Sequence, residues 1–218
     1  MKKEAVTFKK IKQAHSERGG EIRRRLLEFG AIRHSAPDER IWEEMVFCFF
    51  TGGCSARMGL RAVEAVRTLL ADGTQEQLAV ALTGVHRYPN ARSKYVVHSR
   101  DFLKSDCNME LRSRLQRFET DDARRDWLVM EKGIKGLGYK EASHFLRNVG
   151  FTGYAILDKH VLKCLAELKI IEEPKPPNTR SQYLIIEAKL KELANRTKID
   201  FDEMDLVLWS IKTGEILK

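Results

Sequence analysis

The 218-residue sequence lacks the features of secreted, membrane-spanning and metal-cluster proteins. No apolar run approaches the roughly 20 residues that cross a membrane. The lysine-rich opening is not followed by an uninterrupted apolar segment, so we expect no secretion signal and a cytoplasmic location. The cysteines form no Cys-x-x-Cys pair, so we expect no zinc site or iron–sulfur cluster, and we predict that they are small core side chains. They are Cys48, Cys54, Cys107 and Cys164.

Sustained alternation of apolar and polar residues, the pattern of β-strands, is also lacking, as are repeats and low-complexity segments. Helical periodicity dominates and predicts an all-α fold of about ten helices. Ser55 is a candidate N-cap, Thr74–Gln77 fits a capping box, and Asp200 with Glu203 fits the start of the last helix. The core face predicted for the helix after Ser55 consists of Leu60, Val63, Val66 and Leu70.

Positive charge is in excess, with 39 Lys and Arg against 31 Asp and Glu, a net charge of +8. The calculated isoelectric point is about 9.3. Such a balance favours a polyanionic partner such as nucleic acid, because cationic side chains release counterions from a phosphate backbone. It is equally compatible with a basic protein whose lysines and arginines are simply solvated.

A glycine-rich turn, Gly133–Tyr139, lies between two helical patterns. Gly136 and Gly138 permit positive φ and close backbone approach, and the following helix start would offer N–H groups to a phosphate oxygen. With Lys135, these glycines predict a helix-hairpin-helix motif that grips the DNA backbone without reading sequence. An ordinary helix–helix turn that needs glycine for geometry explains the same residues.

Lys140 and Asp158, eighteen residues apart, are the candidate catalytic pair. A neutral lysine amine attacks electrophilic sugar carbon and forms a Schiff base. Asp158 precedes an apolar helical run, where aspartate is a preferred N-cap. The same carboxylate, once fixed by capping, would stabilise a cationic sugar or help to deprotonate the lysine. A phosphate-binding lysine and a purely structural cap remain the alternatives.

These residues carry a resemblance to a known family. Gly136–Ala142 (GLGYKEA) followed by Leu157–Val161 (LDKHV) resembles the helix-hairpin-helix DNA glycosylases, and the lysine marks the branch that is both glycosylase and lyase. The small size, the absent cysteine cluster, Arg87–Arg92 and the ending Trp209–Lys218 are most similar to the archaeal-type 8-oxoguanine DNA glycosylase/lyase family. One departure is that Ile156-Leu157 replaces the Gly-Pro that usually precedes the aspartate.

The resemblance implies two helical domains with DNA bound in the cleft between them. Residues 36–150 would form the central barrel that ends in the hairpin and Lys140. Residues 1–35 and 151–218 would form the second domain, carrying Asp158. Lys140 would attack C1′ of a flipped nucleotide, Asp158 would stabilise the sugar cation, and β-elimination of the Schiff base would nick the strand.

Further roles follow from the resemblance alone. His160 would contact a phosphate, Trp209 would stack on the flipped base and His144 would line the opposite wall. The C-terminal Lys218 and its carboxylate would help to read the lesion. An acceptor near N7, either a backbone carbonyl or the terminal carboxylate, would bind the N7–H that 8-oxoguanine has and guanine lacks. Arg87 and Arg92 would contact the DNA backbone or the opposite strand, with a solvated loop as the equal alternative. Thr51–Ser55 would supply the small-residue loop inserted at the vacated stack. The partner would be double-stranded DNA containing 8-oxoguanine, bound by a monomer without a cofactor, apart from a possible monovalent cation at the hairpin backbone.

Three other interpretations of the sequence compete with this assignment. An endonuclease III-like lyase for oxidised pyrimidines usually carries a C-terminal cysteine quartet, whereas this half of the chain has only Cys164. Monofunctional alkyl-base glycosylases lack the attacking lysine, so Lys140 argues against them. A non-catalytic helix-hairpin-helix module would explain the glycines and the charge, but not the spaced lysine and aspartate.

Overall fold

The computed structural model describes residues 5–217, and within that range the chain is all-α, with no β-strand. This confirms the predicted fold class. The described residues form eleven α-helices and a short 3₁₀ turn, Arg67–Leu69. The helices are α1 (Phe8–Ser35), α2 (Asp38–Thr51), α3 (Ala56–Val66), α4 (Gln75–Leu82), α5 (Pro89–Cys107), α6 (Leu111–Gln116), α7 (Asp121–Met130), α8 (Tyr139–Asn148), α9 (Lys159–Glu167), α10 (Arg180–Thr197) and α11 (Phe201–Thr213).

The chain divides into two compact units. The first consists of Met1–Phe29 and Phe151–Lys218, and the second of Gly30–Gly150. The division therefore falls inside α1, whereas the sequence placed it after residue 35. The hairpin and Lys140 belong to the second unit, and Asp158 belongs to the first.

Local sequence signals for helix starts are confirmed. The Ser55 side chain accepts from the Met58 backbone N–H, and Thr74 and Gln77 form a reciprocal capping box. Asp200 caps α11, but it accepts from Asp202 N–H. Glu203 does not share in this cap, because its carboxylate lies 2.6 Å from His15 Nε2.

The predicted core face of α3 is wrong at one position. Val63, Val66 and Leu70 are buried, but Leu60 is exposed. Helix α6 begins at Leu111, after a short break that follows α5. Asn108 and Met109 adopt positive φ, which ends α5 and delays the next helix.

Helix α8, which carries Lys140, is fastened to α2 by a buried polar contact. Asn148 Nδ2 donates to Glu44 Oε2 at 3.0 Å, and Arg40 Nη2 lies 2.5 Å from Glu44 Oε1. The Glu44 side chain is fully buried, so these partners offset the large cost of removing its charge from water. The contact holds the C-terminal end of α8 at a defined place on α2.

In the first unit, a partly buried ion pair similarly joins α9 and α11. Glu167 Oε2 accepts from Lys212 Nζ at 2.6 Å and from the Val6 backbone N–H at 2.8 Å. Partial burial of Glu167 acts to raise the pKa of its carboxyl group, but these donors outweigh it and hold that pKa below its ordinary value. A lowered pKa in the folded state means that Glu167 stabilises the fold above its unfolded pKa and loses this effect in acid.

We therefore predict that Lys212→Met destabilises the protein by about 1–2 kcal/mol at pH 7. The difference in the free energy of unfolding from the unaltered chain should shrink as the pH falls through the lowered pKa of folded Glu167, and it should vanish once Glu167 is protonated in the folded and the unfolded state. Urea unfolding of both proteins at several pH values measures this difference in the free energy of unfolding. A difference that stays constant from about pH 7 to about pH 3.5 would contradict the assigned role of Glu167.

The cysteine prediction is confirmed for two of the four residues. Cys48 and Cys164 are buried, whereas Cys54 and Cys107 are half-buried. Burial raises the pKa of the Cys164 thiol to about 12, so it stays protonated and unreactive. Among residues 5–217 no group of three or more His, Cys, Asp or Glu side chains is placed to hold a metal ion. Within the same residues, no helix has the length and apolarity needed to cross a membrane.

Candidate active site

The glycine-rich turn between α7 and α8 needs glycine at position 136. Gly136 has φ of +85°, a region that other residues rarely adopt. A β-carbon there would also lie 2.5 Å from Cδ2 of Tyr95, on α5, so no larger residue fits. The Lys135 backbone N–H donates to Ser99 Oγ at 3.0 Å, which ties the turn to the same helix. The turn is thus held in one conformation by α5.

The start of α8 presents backbone N–H groups beside the turn. Gly138 is the N-cap and makes no side-chain capping bond, while its carbonyl accepts from Ala142 N–H at 2.8 Å. The first N–H groups of a helix have no partner within the helix, and the dipole favours an anion there. With Gly138 and Lys135 exposed, this end of α8 suits a phosphate oxygen.

Lys140 lies in the first turn of α8 and is half-buried, with 26% of its side chain exposed. Its Nζ atom is 2.9 Å from Oε1 of Glu141. The structure therefore places the amine directly beside the hairpin turn.

Asp158 is both an N-cap and a half-buried carboxylate. Its Oδ1 accepts from the backbone N–H groups of His160 and Val161, at 2.8 and 2.9 Å. Capping therefore fixes Oδ1, whereas no hydrogen bond to Oδ2 is found among residues 5–217. The structural and the chemical interpretation of Asp158 are thus compatible.

The segment before Asp158 shows why a Gly-Pro pair is not needed there. Neither Ile156 nor Leu157 has positive φ, and both are buried. The Tyr183 hydroxyl, on α10, donates to Ala155 O at 2.6 Å and accepts from Leu157 N–H at 3.5 Å. These contacts hold residues 155–157 in place and so position Asp158 at the start of α9.

His160 and Trp209 lie together in the first unit. Their ring centroids are 6.4 Å apart and the rings meet edge to face at 89°. Both side chains are half-buried, so Trp209 is not an ordinary core tryptophan. The structure thus brings together three predicted site residues of this unit: Asp158, His160 and Trp209.

The other two predicted base-reading residues are placed differently. His144 is 6% exposed, and its ring meets that of Phe47 edge to face at 5.5 Å between centroids. It belongs to the core of the second unit in this structure. Lys218 lies outside the described residues. The base-reading roles of both remain predictions.

The structure adds a basic groove that the sequence did not reveal. Lys94, Tyr95, His98 and Lys135 line a surface concavity of about 500 Å³ beside the hairpin turn. The i, i+4 spacing of Lys94 and His98 on α5 was the available signal, because such residues share a helix face. Their proximity to Lys135, about forty residues later in the chain, depends on the packing of the turn against α5.

Comparison with known proteins gives consistent matches along the chain. The family model described as 8-oxoguanine DNA glycosylase matches residues 22–199. An 8-oxoguanine DNA glycosylase/AP lyase of Korarchaeum cryptofilum is 41% identical over 198 residues, 90% of each chain. The protein of the same description from Fusobacterium nucleatum is 36% identical over 214 residues, 97% of each chain.

A solved structure matches as closely in three dimensions. It is the Methanocaldococcus jannaschii 8-oxoguanine glycosylase/lyase in complex with a 15mer DNA containing 8-oxoguanine. The TM-score is 0.88 at 32% identity, covering 97% of this chain and 99% of the other.

Proposed function

This chain belongs to the 8-oxoguanine DNA glycosylase family, and we propose that it excises 8-oxoguanine from double-stranded DNA and then cleaves the strand as an abasic-site lyase. The observation that carries the proposal is the position of Lys140, in the first turn of α8 directly after a fixed hairpin turn. A helix start that binds phosphate would hold the strand next to an amine. The family predicted from the sequence is confirmed.

In the proposed reaction, the damaged nucleotide is first flipped out of the stack, which costs a few kcal/mol. Lys140 Nζ attacks C1′ as the glycosidic bond breaks and the base leaves. Asp158, through Oδ2, stabilises the positive charge that develops on the sugar. The resulting Schiff base loses a proton from C2′, and the 3′ phosphate departs by β-elimination.

Backbone binding is proposed for the hairpin and its surroundings. Gly136 and Gly138 shape the turn, the α8 start offers N–H donors, and Lys135 adds a charge. The adjoining groove extends this basic surface with Lys94 and His98. In the first unit, His160 at the start of α9 is the proposed phosphate contact. We propose a monomeric enzyme whose only candidate cofactor is a monovalent cation at the hairpin backbone.

The groove makes a salt-dependent contribution to DNA binding. We predict that Lys94→Ala and Lys135→Ala each weaken binding to any duplex sequence, because phosphate contacts carry no sequence information. Each should reduce the slope of log K against log salt by about 1. Titrations of a labelled duplex at several salt concentrations measure this, with Lys104→Ala, on another face of α5, as control. Unchanged slopes in both groove variants would contradict the assignment.

Base reading is proposed for Trp209 by stacking, and for Lys218, through a backbone carbonyl or carboxylate oxygen, by accepting from N7–H. We predict that deleting Lys218 lowers the rate of 8-oxoguanine excision by about tenfold or more, because a misplaced acceptor no longer selects the lesion. Cleavage at a preformed abasic site should change much less, since no base remains to be read. Equal excision by the truncated and full-length chains would rule out this role.

The proposed function is tested by incubating the protein with otherwise identical duplexes that carry 8-oxoguanine, guanine, 5-hydroxyuracil or an abasic site. Cleavage at 8-oxoguanine and at the abasic site, but not at guanine, is the expected result. Cleavage at 5-hydroxyuracil without cleavage at 8-oxoguanine would indicate an endonuclease III-like enzyme. Binding without cleavage of any duplex would indicate a non-catalytic helix-hairpin-helix module.

A further inference from the structure

The contact between Lys140 and Glu141 is unusual for neighbouring residues in a helix. Side chains at i and i+1 point about 100° apart and do not normally face each other. Here Nζ of Lys140 lies 2.9 Å from Oε1 of Glu141. The lysine side chain therefore bends towards the carboxylate instead of following its own direction into solvent.

The Glu141 carboxylate lies close to two glycines. A β-carbon on Gly138 would lie 3.2 Å from Oε2, and one on Gly52 would lie 3.7 Å from Oε1. The carboxylate thus lies against both the hairpin turn and the turn that follows α2. Only 16% of the Glu141 side chain is exposed, which limits its freedom to move.

The Gly52 turn is in turn held by Arg92. Arg92 Nη2 donates to the Gly52 carbonyl oxygen, and a β-carbon on Gly52 would lie 3.1 Å from that nitrogen. The guanidinium lies over the rings of Tyr88 and Tyr95, at 5.7 and 5.2 Å from their centroids. Stacking on two aromatic rings orients a guanidinium. Arg92 is thus hydrogen-bonded to the turn that lies next to Glu141, and the Glu141 carboxylate contacts the amine of Lys140.

We propose that Glu141 is a positioning residue that fixes the Lys140 amine at the hairpin. This rests on the proposed function of Lys140 as the nucleophile. An attacking atom must be held in a near-attack position, and a misplacement of about 1 Å costs up to about 100-fold in rate. Glu141 supplies this restraint as a hydrogen-bond acceptor for the N–H of Lys140.

A simpler role for Glu141 would be to complement the helix dipole in the first turn of α8, where acidic residues are favoured. The substitution Glu141→Gln separates the two roles. It removes the charge that complements the dipole, but the carbonyl of the new side chain can still accept from Lys140. The substitution Glu141→Ala removes both the charge and the acceptor.

The test uses Glu141→Ala and Glu141→Gln with a duplex that carries a preformed abasic site, so that base recognition plays no part. Single-turnover borohydride trapping at saturating protein gives the rate of Schiff-base formation, and a separate titration gives the DNA Kd. Glu76→Ala, which alters an exposed acidic residue in the first turn of α4, is the matched control for charge. Thermal unfolding of every variant checks the fold.

We expect Glu141→Ala to trap about 10- to 100-fold more slowly with Kd unchanged within about twofold, and Glu141→Gln to trap within about threefold of the unaltered protein. Trapping by Glu141→Ala at the unaltered rate would overturn the positioning role. A Glu141→Gln variant that traps as slowly as Glu141→Ala would also overturn the positioning role, because the rate would then depend on the charge and not on the hydrogen bond. Failure of the unaltered protein to trap DNA would overturn the proposed function itself. Normal trapping by the unaltered protein and by Glu141→Ala would overturn only the positioning role.

Discussion

Lys140→Gln is expected to abolish covalent trapping and to reduce strand cleavage on the order of 10³-fold or more, while DNA binding survives. Glutamine has a similar length and can still donate to Glu141, but its amide nitrogen is not a nucleophile. Trapping, cleavage and duplex titration on the same preparation measure the three properties separately.

The matched control is Lys12→Gln, which removes an equal charge from an exposed position on α1. It should trap and cleave like the unaltered protein. Full lyase activity in the Lys140 variant would show that another amine attacks the sugar. Lost DNA binding in that variant would show that Lys140 is a phosphate-binding lysine.

Asp158→Asn is expected to lower the rate of 8-oxoguanine excision by about 10²- to 10⁴-fold, with little loss of stability. Asparagine is as good an N-cap as aspartate, so its side-chain oxygen can still accept from His160 and Val161 N–H. It cannot supply the negative charge that Oδ2 would direct at a sugar cation. The excision rate and the free energy of unfolding are the two measurements.

Asp158→Ala supplies the contrast, because it removes the charge and the cap together. It should lose excision to the same degree as the Asn variant and, in addition, about 0.5–2 kcal/mol of stability. Excision by Asp158→Asn at the unaltered rate would leave Asp158 a structural cap only. A large loss of stability in the Asn variant would contradict the capping geometry.

The sequence predicts best those features that depend on a few adjacent residues. Ser55 and the Thr74–Gln77 box are confirmed as caps because capping is decided by local backbone donors. Gly136 is the same kind of feature, since a positive φ at that turn strongly favours glycine. The role of Asp158 as the N-cap of α9 can likewise be predicted from the adjacent residues alone.

Features that depend on packing could not be predicted from the sequence. Leu60 has the helical spacing of a core residue, yet it lies at the exposed edge of the apolar face of α3. His144 shares a helix with Lys140, but packing against Phe47 places it in the core. The contacts of Glu141 with the Gly52 turn, and of Lys135 with α5, join residues about forty to ninety positions apart. No local pattern encodes such pairs.

The most direct measurement is to find which residue carries the trapped DNA. The protein is trapped with borohydride on a duplex containing 8-oxoguanine, digested with nuclease and trypsin, and its peptides are weighed. A modified Lys140 blocks trypsin, so we expect one joined peptide of residues 136–147 bearing the sugar remnant, in place of 136–140 and 141–147. An adduct on any other lysine, or none with a protein that still cleaves the strand, would contradict the assignment of Lys140 as the nucleophile.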